Sequence, residues 1–342
     1  MEDSGAVLPR RCTFTPSDWK VLADYWHPVC FSTDVSGPKP HAAVLLDEEL
    51  VLYRSGGQVV AARDLCLHRG VPLTLGWIEG DEIVCAYHGF RYGAAGRCTA
   101  VPAQPHLAIP SKLCLRSYLA VERYGVVWVC LSHHPKLPLP EWPELEDAGL
   151  KQLQLGPTLW KCSAPRQVEN FNDLAHLSWV HVGTFGNRSA PEVAKYEVEV
   201  RPDGLHFETL YDRYALEDHG SGEKLERVHY TYDLTFPFYT RLRIYFPDGH
   251  KFVLFNLPSP VSAQQCNIMF RMTRDFDLEG PAESTLELQR KVLAEDRILV
   301  EAQRPEELPL DLSEEFHIRA DRFSTVYRQA LIKLGLGRRF AS

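Results

Sequence analysis

Two short stretches pair a cysteine with a histidine: Cys66-Leu67-His68 and, sixteen residues further on, Cys85-Ala86-Tyr87-His88. Thiolate and imidazole both bind metals, so this part of the chain must bring two loops together around a metal. A structural zinc site usually opens with a C-x2–4-C pair and closes with H-x3–5-H. Here each loop supplies one cysteine and one histidine. That distribution suits a pair of irons, one held by the cysteines and the other by the histidines. Gly70 and Gly89 follow the two motifs, where small residues let backbone N–H groups approach inorganic sulfide. Trp77, between the loops, is expected to pack there and keep water from the cluster.

The chain has 342 residues, enough for two domains with sizeable cores. A formal net charge of −8 disfavours non-specific binding of nucleic acid. The start, MEDSGAVLPRR, has no apolar signal core, and no apolar run reaches the length of a membrane span. The expectation is a cytoplasmic protein that engages neither nucleic acid nor membrane. The nine cysteines are Cys12, Cys30, Cys66, Cys85, Cys98, Cys114, Cys130, Cys162 and Cys266. An odd, scattered set argues against a disulfide framework, and only Cys66 and Cys85 have histidines in ligand register. The others read as small buried apolar residues.

Residues 41–150 read as an all-β domain, with a hairpin turn at Ser55-Gly56-Gly57 and a proline-rich linker over 134–147. Residues 151–342 read as α+β. SAPRQVENFNDLAHLSWVHVG, 163–183, has helical spacing, and alternating strands fill 195–275. A long helix is expected from a Ser284-x-x-Glu287 capping box to just before Pro305, and a final one over 314–334.

The second half holds His176-x4-His181. On an ideal helix these lie about 140° apart, so both face one metal only if the last turn loosens, which Gly183 would permit. Asp173, three residues before His176, could receive a ring N–H and fix which nitrogen faces the metal. Two histidines and a carboxylate form the facial set that leaves positions open on non-haem Fe(II). Glu295 and Asp296 both offer that carboxylate, and spacing does not choose between them.

WHPVC (26–30), CLHRG, CAYHGF, VENFNDLAHLSWVHVGTF and AEDRILVEAQRP together resemble the α (terminal oxygenase) subunit of the Rieske non-haem iron oxygenases over essentially the whole chain. The purine N-demethylase and dicamba O-demethylase branch is the most similar. The resemblance implies an N-terminal segment, 1–40, packed on the catalytic domain, a Rieske [2Fe–2S] domain over 41–150, and a helix-grip-like antiparallel catalytic domain over 151–342. It implies that Cys66, His68, Cys85 and His88 hold the cluster. His176, His181 and Asp296, rather than Glu295, would hold Fe(II). Asp173 would be the bridging aspartate, and Asn170 would stand close to the iron. Ile268 and Met272 match pocket-lining positions of purine-demethylating relatives, while Phe171, Leu177 and Asn256 are further pocket candidates.

The implied activity is monooxygenation: O2 and external electrons hydroxylate, or oxidatively O- or N-demethylate, a small aromatic or heteroaromatic substrate. The alternatives are cis-dihydroxylation of a ring and, in a different class, a non-catalytic Rieske electron carrier. No plant-type cluster motif or dinucleotide fingerprint is present, so NAD(P)H oxidation falls to a separate ferredoxin or flavin reductase. Arg63, Arg69, Arg91 and Arg97 flank the cluster motifs and could receive it. The family forms head-to-tail homotrimers, in which one subunit's cluster serves its neighbour's iron. His27 reads as structural, His133 and His134 as solvated, and His317 as lying on a helix surface or subunit contact.

Overall fold

The computed structural model describes residues 8–215 and 225–337. Contacts divide the chain into two units, Met1–Leu139 and Pro140–Ser342. No helix of the described residues is long and apolar enough to cross a membrane.

The first unit opens with α1 (Pro16–Ala23), where Pro16 needs no hydrogen-bond partner and Thr15 accepts from the Asp18 N–H. Strands β1 (His27–Phe31), β2 (His41–Leu45), β3 (Glu48–Ser55), β4 (Gln58–Arg63), β9 (Ser117–Arg123) and β10 (Val126–Cys130) form an antiparallel sheet in the order β1-β10-β9-β4-β3-β2. The run VVWVC makes β10 a strand buried along its whole length. Gly56 and Gly57 turn β3 into β4 with φ of +57° and +77°, the left-handed pair that a two-residue hairpin needs. His27 is wholly buried; its Nε2–H donates to the Leu22 carbonyl at 2.9 Å, and burial keeps it neutral by pushing its pKa down to about 4. Segment 27–31 is therefore part of the first unit's own sheet, paired with β10 from His27↔Val129 to Phe31↔Val126.

A second sheet, β5 (Trp77–Glu79), β6 (Glu82–Val84), β7 (Arg91–Tyr92) and β8 (Cys98–Ala100), presents the metal-motif loops. Tyr92, Ile83, Leu73 and Leu115 pack against the two motif cysteines. Trp77 does not shield them: it is 45% exposed, and its indole N–H reaches Glu79 at 3.3 Å. A tryptophan on a three-residue edge strand has its ring on the solvent face.

In the second unit β11 (Lys151–Trp160), β12 (Glu199–Arg201), β13 (Gly204–Tyr214), β14 (Leu225–Thr235), β15 (Tyr239–Tyr245), β16 (Lys251–Ser262) and β17 (Gln265–Arg274) make one antiparallel sheet, in the order β11-β17-β16-β15-β14-β13-β12. Residues 216–224 of the strand-rich region lie outside the described residues. Part of the expected linker is folded here. Trp142 is buried with its ring 5.0 Å from that of Phe255, and buried Glu144 accepts from Arg243 (2.7 Å) and Arg241 (3.3 Å). An ion-paired glutamate beneath the sheet ties 140–147 to this unit, so the division falls at 139/140 and not at 150/151.

The stretch expected as one helix is two. α2 (Ala164–Asn172) starts at Ser163, whose hydroxyl accepts from the Arg166 N–H, and stops at Asp173, whose ψ of 134° leaves the helical region. α3 (Leu177–Val180) follows and tightens into a 3-10 turn over His181–Gly183. α2 docks on the sheet through a reciprocal buried amide pair, Gln167 with Asn256 at 3.1 and 2.9 Å, and through Asn172, which donates to Thr240 at 3.0 Å.

The long helix α4 spans Glu283–Val300, but its N-cap is Ala282 with no side-chain cap, and Ser284 already lies inside the first turn. α5 spans Arg322–Leu334 and ends at left-handed Gly335. It starts later than 314 because Asp321 accepts from the Ile318 N–H (2.8 Å), fixing a 3-10 turn ahead of it.

Candidate metal centres

The two cysteine–histidine loops are built alike. In the first, the Cys66 N–H donates to Val71 and the Gly70 N–H returns to the Cys66 carbonyl, both at 2.9 Å. In the second, the Cys85 N–H donates to Phe90 (2.9 Å) and the Gly89 N–H to the Cys85 carbonyl (3.0 Å). Gly70 and Gly89 close the loops at φ of +70° and +69°, a conformation that favours glycine. Each loop thus holds a cysteine at its buried base and a histidine at its outer edge. The His68 and His88 Nδ1 atoms face each other at 3.1 Å, and Phe90 stacks on His68 at 4.7 Å between ring centres. Burial pushes the Cys85 thiol pKa up, and Tyr92 Oη lies 3.3 Å from Cys66 Sγ. Two inward thiols and two facing imidazoles fit a diiron cluster with mixed ligands.

In the second unit, the break at Asp173 solves the helix problem in an unforeseen way. The Asp173 carboxylate accepts the Ala175 N–H (3.0 Å) and the His176 N–H (3.1 Å), capping the short α3, and also the His176 Nδ1–H (3.1 Å). The turn holding His181 tightens instead of loosening. The His181 carbonyl accepts from Thr184 (2.9 Å) and Gly186 (2.7 Å), which folds the chain back under the ring. Gly186 must be glycine: a Cβ there would sit 2.4 Å from the Leu177 carbonyl oxygen.

The ligand-type atoms of His176, His181 and Asp296 all lie within 4.8 Å of one another. Asp296 Oδ1 is 3.4 Å from His176 Nε2 and 3.3 Å from His181 Nε2. His181 Nδ1 is 2.9 Å from Glu295 Oε2. Each Nδ1–H is thus spent on a carboxylate, and a neutral imidazole then presents its Nε2 lone pair to Asp296 Oδ1. That oxygen is buried and has no hydrogen-bond donor. With both rings neutral, three lone pairs converge on one point, which a bound metal cation relieves and which, without a metal, a proton on His176 relieves instead. Burial works against a charged His176, yet Asp173 and Asp296 lift its pKa to about 9. Burial also opposes ionisation of Asp296, yet the two histidines hold it at about 2. The donor set fits a divalent metal of the non-haem iron type.

A cavity of about 320 Å³ opens on Asp173, His176 and Asp296, and is also lined by Asn170, Arg166 and His317. His317 lies ahead of α5 in irregular chain rather than on a helix. Phe171, Leu177, Asn256, Ile268 and Met272 do not line this cavity. Phe171 meets Phe270 at 5.7 Å between ring centres. Asn256 is paired in register with Phe270, so Ile268, Phe270 and Met272 share its sheet face, the one under α2. Leu177 is buried on α3.

Sequence reasoning missed Glu295 as the partner of His181, because it asked only which carboxylate binds metal. It also passed over Cys30, Asp34 and His41, which come within 4.8 Å of one another; burial pushes the Cys30 thiol up to about 12, making it a poor ligand. Of the four flanking arginines, Arg63 is held by Glu48 (2.5 Å) and Arg91 by Glu79 (2.8 Å), while Arg69 and Arg97 are exposed. All nine cysteines are free.

The Rieske [2Fe–2S] domain family matches residues 25–118, and the vanillate O-demethylase oxygenase C-terminal domain family matches 160–336. The methylxanthine N1-demethylase NdmA of Pseudomonas putida is 32% identical over 326 residues, covering 92% of this chain and 89% of that protein. The methylxanthine N3-demethylase NdmB of the same organism is 30% identical, over 91% and 89%. The structure of Pseudomonas putida CBB5 NdmA with caffeine matches with a TM-score of 0.84 at 29% identity, covering 92% of both chains. Dicamba monooxygenase bound to dicamba shares the fold, with a TM-score of 0.80 at 20% identity over 92% of this chain and 97% of that one. An N-terminal Rieske domain, a helix-grip-like antiparallel catalytic domain and two separate donor sets stand in one polypeptide. The chain belongs to the Rieske non-haem iron oxygenases, whose oxygenase subunits carry a [2Fe–2S] cluster and a mononuclear iron.

Proposed function

We propose that this subunit oxidatively removes an O- or N-methyl group from a small aromatic or heteroaromatic compound. Cys66, His68, Cys85 and His88 hold the [2Fe–2S] cluster in this reading, and His176, His181 and Asp296 hold Fe(II). Bound there, the two groups supply one-electron relay and activation of O2. The remaining work belongs to the chain. Asp173 and Glu295 fix the tautomers of His176 and His181, so that both Nε2 atoms face inward. Asn170, beside the cavity, is close enough to Asp173 to order polar groups there. Asn256, Ile268 and Met272 on the sheet face under α2, with Phe171 of α2 and Leu177 of α3, suit a flat apolar ring. Asn256 is already committed to Gln167 and would need to release it to hold a substrate.

The reaction balances as follows. O2, two electrons and two protons convert one methyl C–H bond into C–OH, and the second oxygen leaves as water. The resulting hemiacetal or hemiaminal breaks its bond to the ring oxygen or nitrogen and releases formaldehyde. A separate reductase supplies the electrons from NAD(P)H, and exposed Arg69 and Arg97 are the arginines left to meet an acidic one. The working assembly is a homotrimer in which Asp173 and His176 of one subunit receive electrons from the cluster of its neighbour.

The observation that carries this reading is the convergence of His176, His181 and the orphaned Asp296 oxygen. Its likeness to two N-demethylases directs it to methyl groups. The test is turnover with a surrogate reductase on methoxy- and N-methyl-aromatics, reading formaldehyde and product mass. A product that keeps every methyl and gains two hydroxyls would contradict it. That outcome would favour the second reading, ring dihydroxylation, which has its own support: the 3-chlorobenzoate-3,4-dioxygenase oxygenase subunit of Comamonas testosteroni is 31% identical over 55% of the chain.

A further inference from the structure

We propose that Glu295 is a positioning residue that sets the orientation of His181 toward the iron, and that α4 acts as a two-pronged clamp on that ring. The inference rests on the reading of His181 and Asp296 as iron ligands. Glu295 and Asp296 are neighbours on α4, so their side chains leave the helix about 100° apart. They meet opposite edges of one imidazole: Glu295 Oε2 lies 2.9 Å from Nδ1, and Asp296 Oδ1 lies 3.3 Å from Nε2. A single helical turn therefore fixes both the anionic ligand and the angle at which its partner histidine faces it. Neither can shift without the other.

The Glu295 carboxylate is itself held. The Thr184 hydroxyl donates to the same Oε2 at 3.2 Å, and Thr184 follows the turn that carries His181. Lys291, one turn earlier on α4, donates to the Gly183 carbonyl, so helix and turn are bonded beside the ring. Gly183 explains itself by space. A Cβ there would stand 2.9 Å from Glu295 Oε1, so a larger residue would displace the end of the carboxylate. The two histidines are treated differently. His176 takes its carboxylate from Asp173, three residues earlier in the sequence and next to the cavity, whereas His181 is almost wholly buried and takes its own from α4. The Glu295 side is thus suited to rigidity.

The test uses the full-length protein with its cluster in place. Glu295→Ala, Glu295→Gln and Gly183→Ala are compared with the native protein, with His181→Ala and Asp296→Ala as references. Fe(II) affinity is read by competition with a chromophoric chelator, ligand geometry by the electron paramagnetic resonance of the nitric oxide complex, and the cluster by its visible absorbance. Expected is a loss of Fe(II) affinity of about 10- to 100-fold for Glu295→Ala, with an altered nitric oxide signal and unchanged cluster absorbance. Glu295→Gln, whose amide oxygen still accepts the Nδ1–H, should recover most of it. Gly183→Ala, which keeps the carboxylate but pushes it aside, should fall between the two and decides the matter if Glu295→Ala does not fold. The proposal is overturned if Glu295→Ala, or in its place Gly183→Ala, binds Fe(II) like the native protein with an unchanged signal while His181→Ala and Asp296→Ala lose it. Retention of Fe(II) by those two references would instead defeat the iron-site reading beneath it.

Discussion

His68 and His88 bring their Nδ1 atoms to 3.1 Å of each other, at the outer edge of two loops whose cysteines are buried. The imidazole side of the cluster site is thereby the outward-facing side, while the thiolate side lies in a core with Ile83, Leu73 and Leu115. Within that shell Tyr92 is the polar contact: its hydroxyl lies 3.3 Å from Cys66 Sγ.

Tyr92→Phe should therefore shift the cluster's reduction potential downward. A hydrogen bond to a ligand sulfur stabilises the more negative, reduced state, so its removal favours the oxidised one. Spectroelectrochemical titration checks this; a potential unchanged or raised in a variant with full absorbance would show that the hydroxyl does not serve the sulfur.

Gly186→Ala should disable the iron site from outside the ligand set. Its Cβ would meet the Leu177 carbonyl oxygen at 2.4 Å and the His181 carbonyl carbon at 2.8 Å, both backbone atoms that cannot step aside. The turn carrying His181 must shift, at about 1–3 kcal/mol of overpacking. Thermal unfolding and Fe(II) content should both fall, with cluster absorbance intact.

These outcomes bear on what the sequence could disclose. The cluster motif was legible because its four ligands lie in two short loops whose glycines enforce the turn. The His176-His181 motif was legible too, but not its geometry. Spacing predicts one continuous helix, whereas the Asp173 side chain competes for backbone N–H groups and restarts the chain as α3. Glu295 went unseen because its role depends on a ring more than a hundred residues away. Arg63 and Arg91 looked available for a partner because their acidic neighbours, Glu48 and Glu79, come from other strands.

Asp233 should make the second unit acid-sensitive over a defined window. Burial raises its pKa, but Arg241, His206 and Arg243 outweigh burial and hold it at about 2, with contacts of 3.0, 2.8 and 2.6 Å. A carboxylate with a lowered folded pKa stabilises the fold above its unfolded value near 4 and loses that contribution as pH falls through about 2. The contribution is on the order of 2 kcal/mol. Denaturant unfolding from pH 5 to pH 2 should show the native protein losing this increment relative to Asp233→Asn. Parallel curves would mean that the network adds no pH-dependent stability.

Glu169 should be costly to remove. It accepts from both Nε and Nη2 of Arg328 at 2.8 Å, and that guanidinium is only 2% exposed. Glu169→Ala strands a buried charge with Glu315 as its remaining acid partner, at a cost of about 3–5 kcal/mol. Chemical denaturation measures it directly.

The most direct measurement is iron and acid-labile sulfide per chain in the native protein and in the His176→Ala/Asp296→Ala double variant, both reconstituted anaerobically. About three irons and two sulfides are expected for the native chain, and about two irons with the same sulfide and colour for the variant, which should release no formaldehyde. A colourless native protein, or a double variant that keeps its third iron and its turnover, would contradict two separate iron centres in this fold.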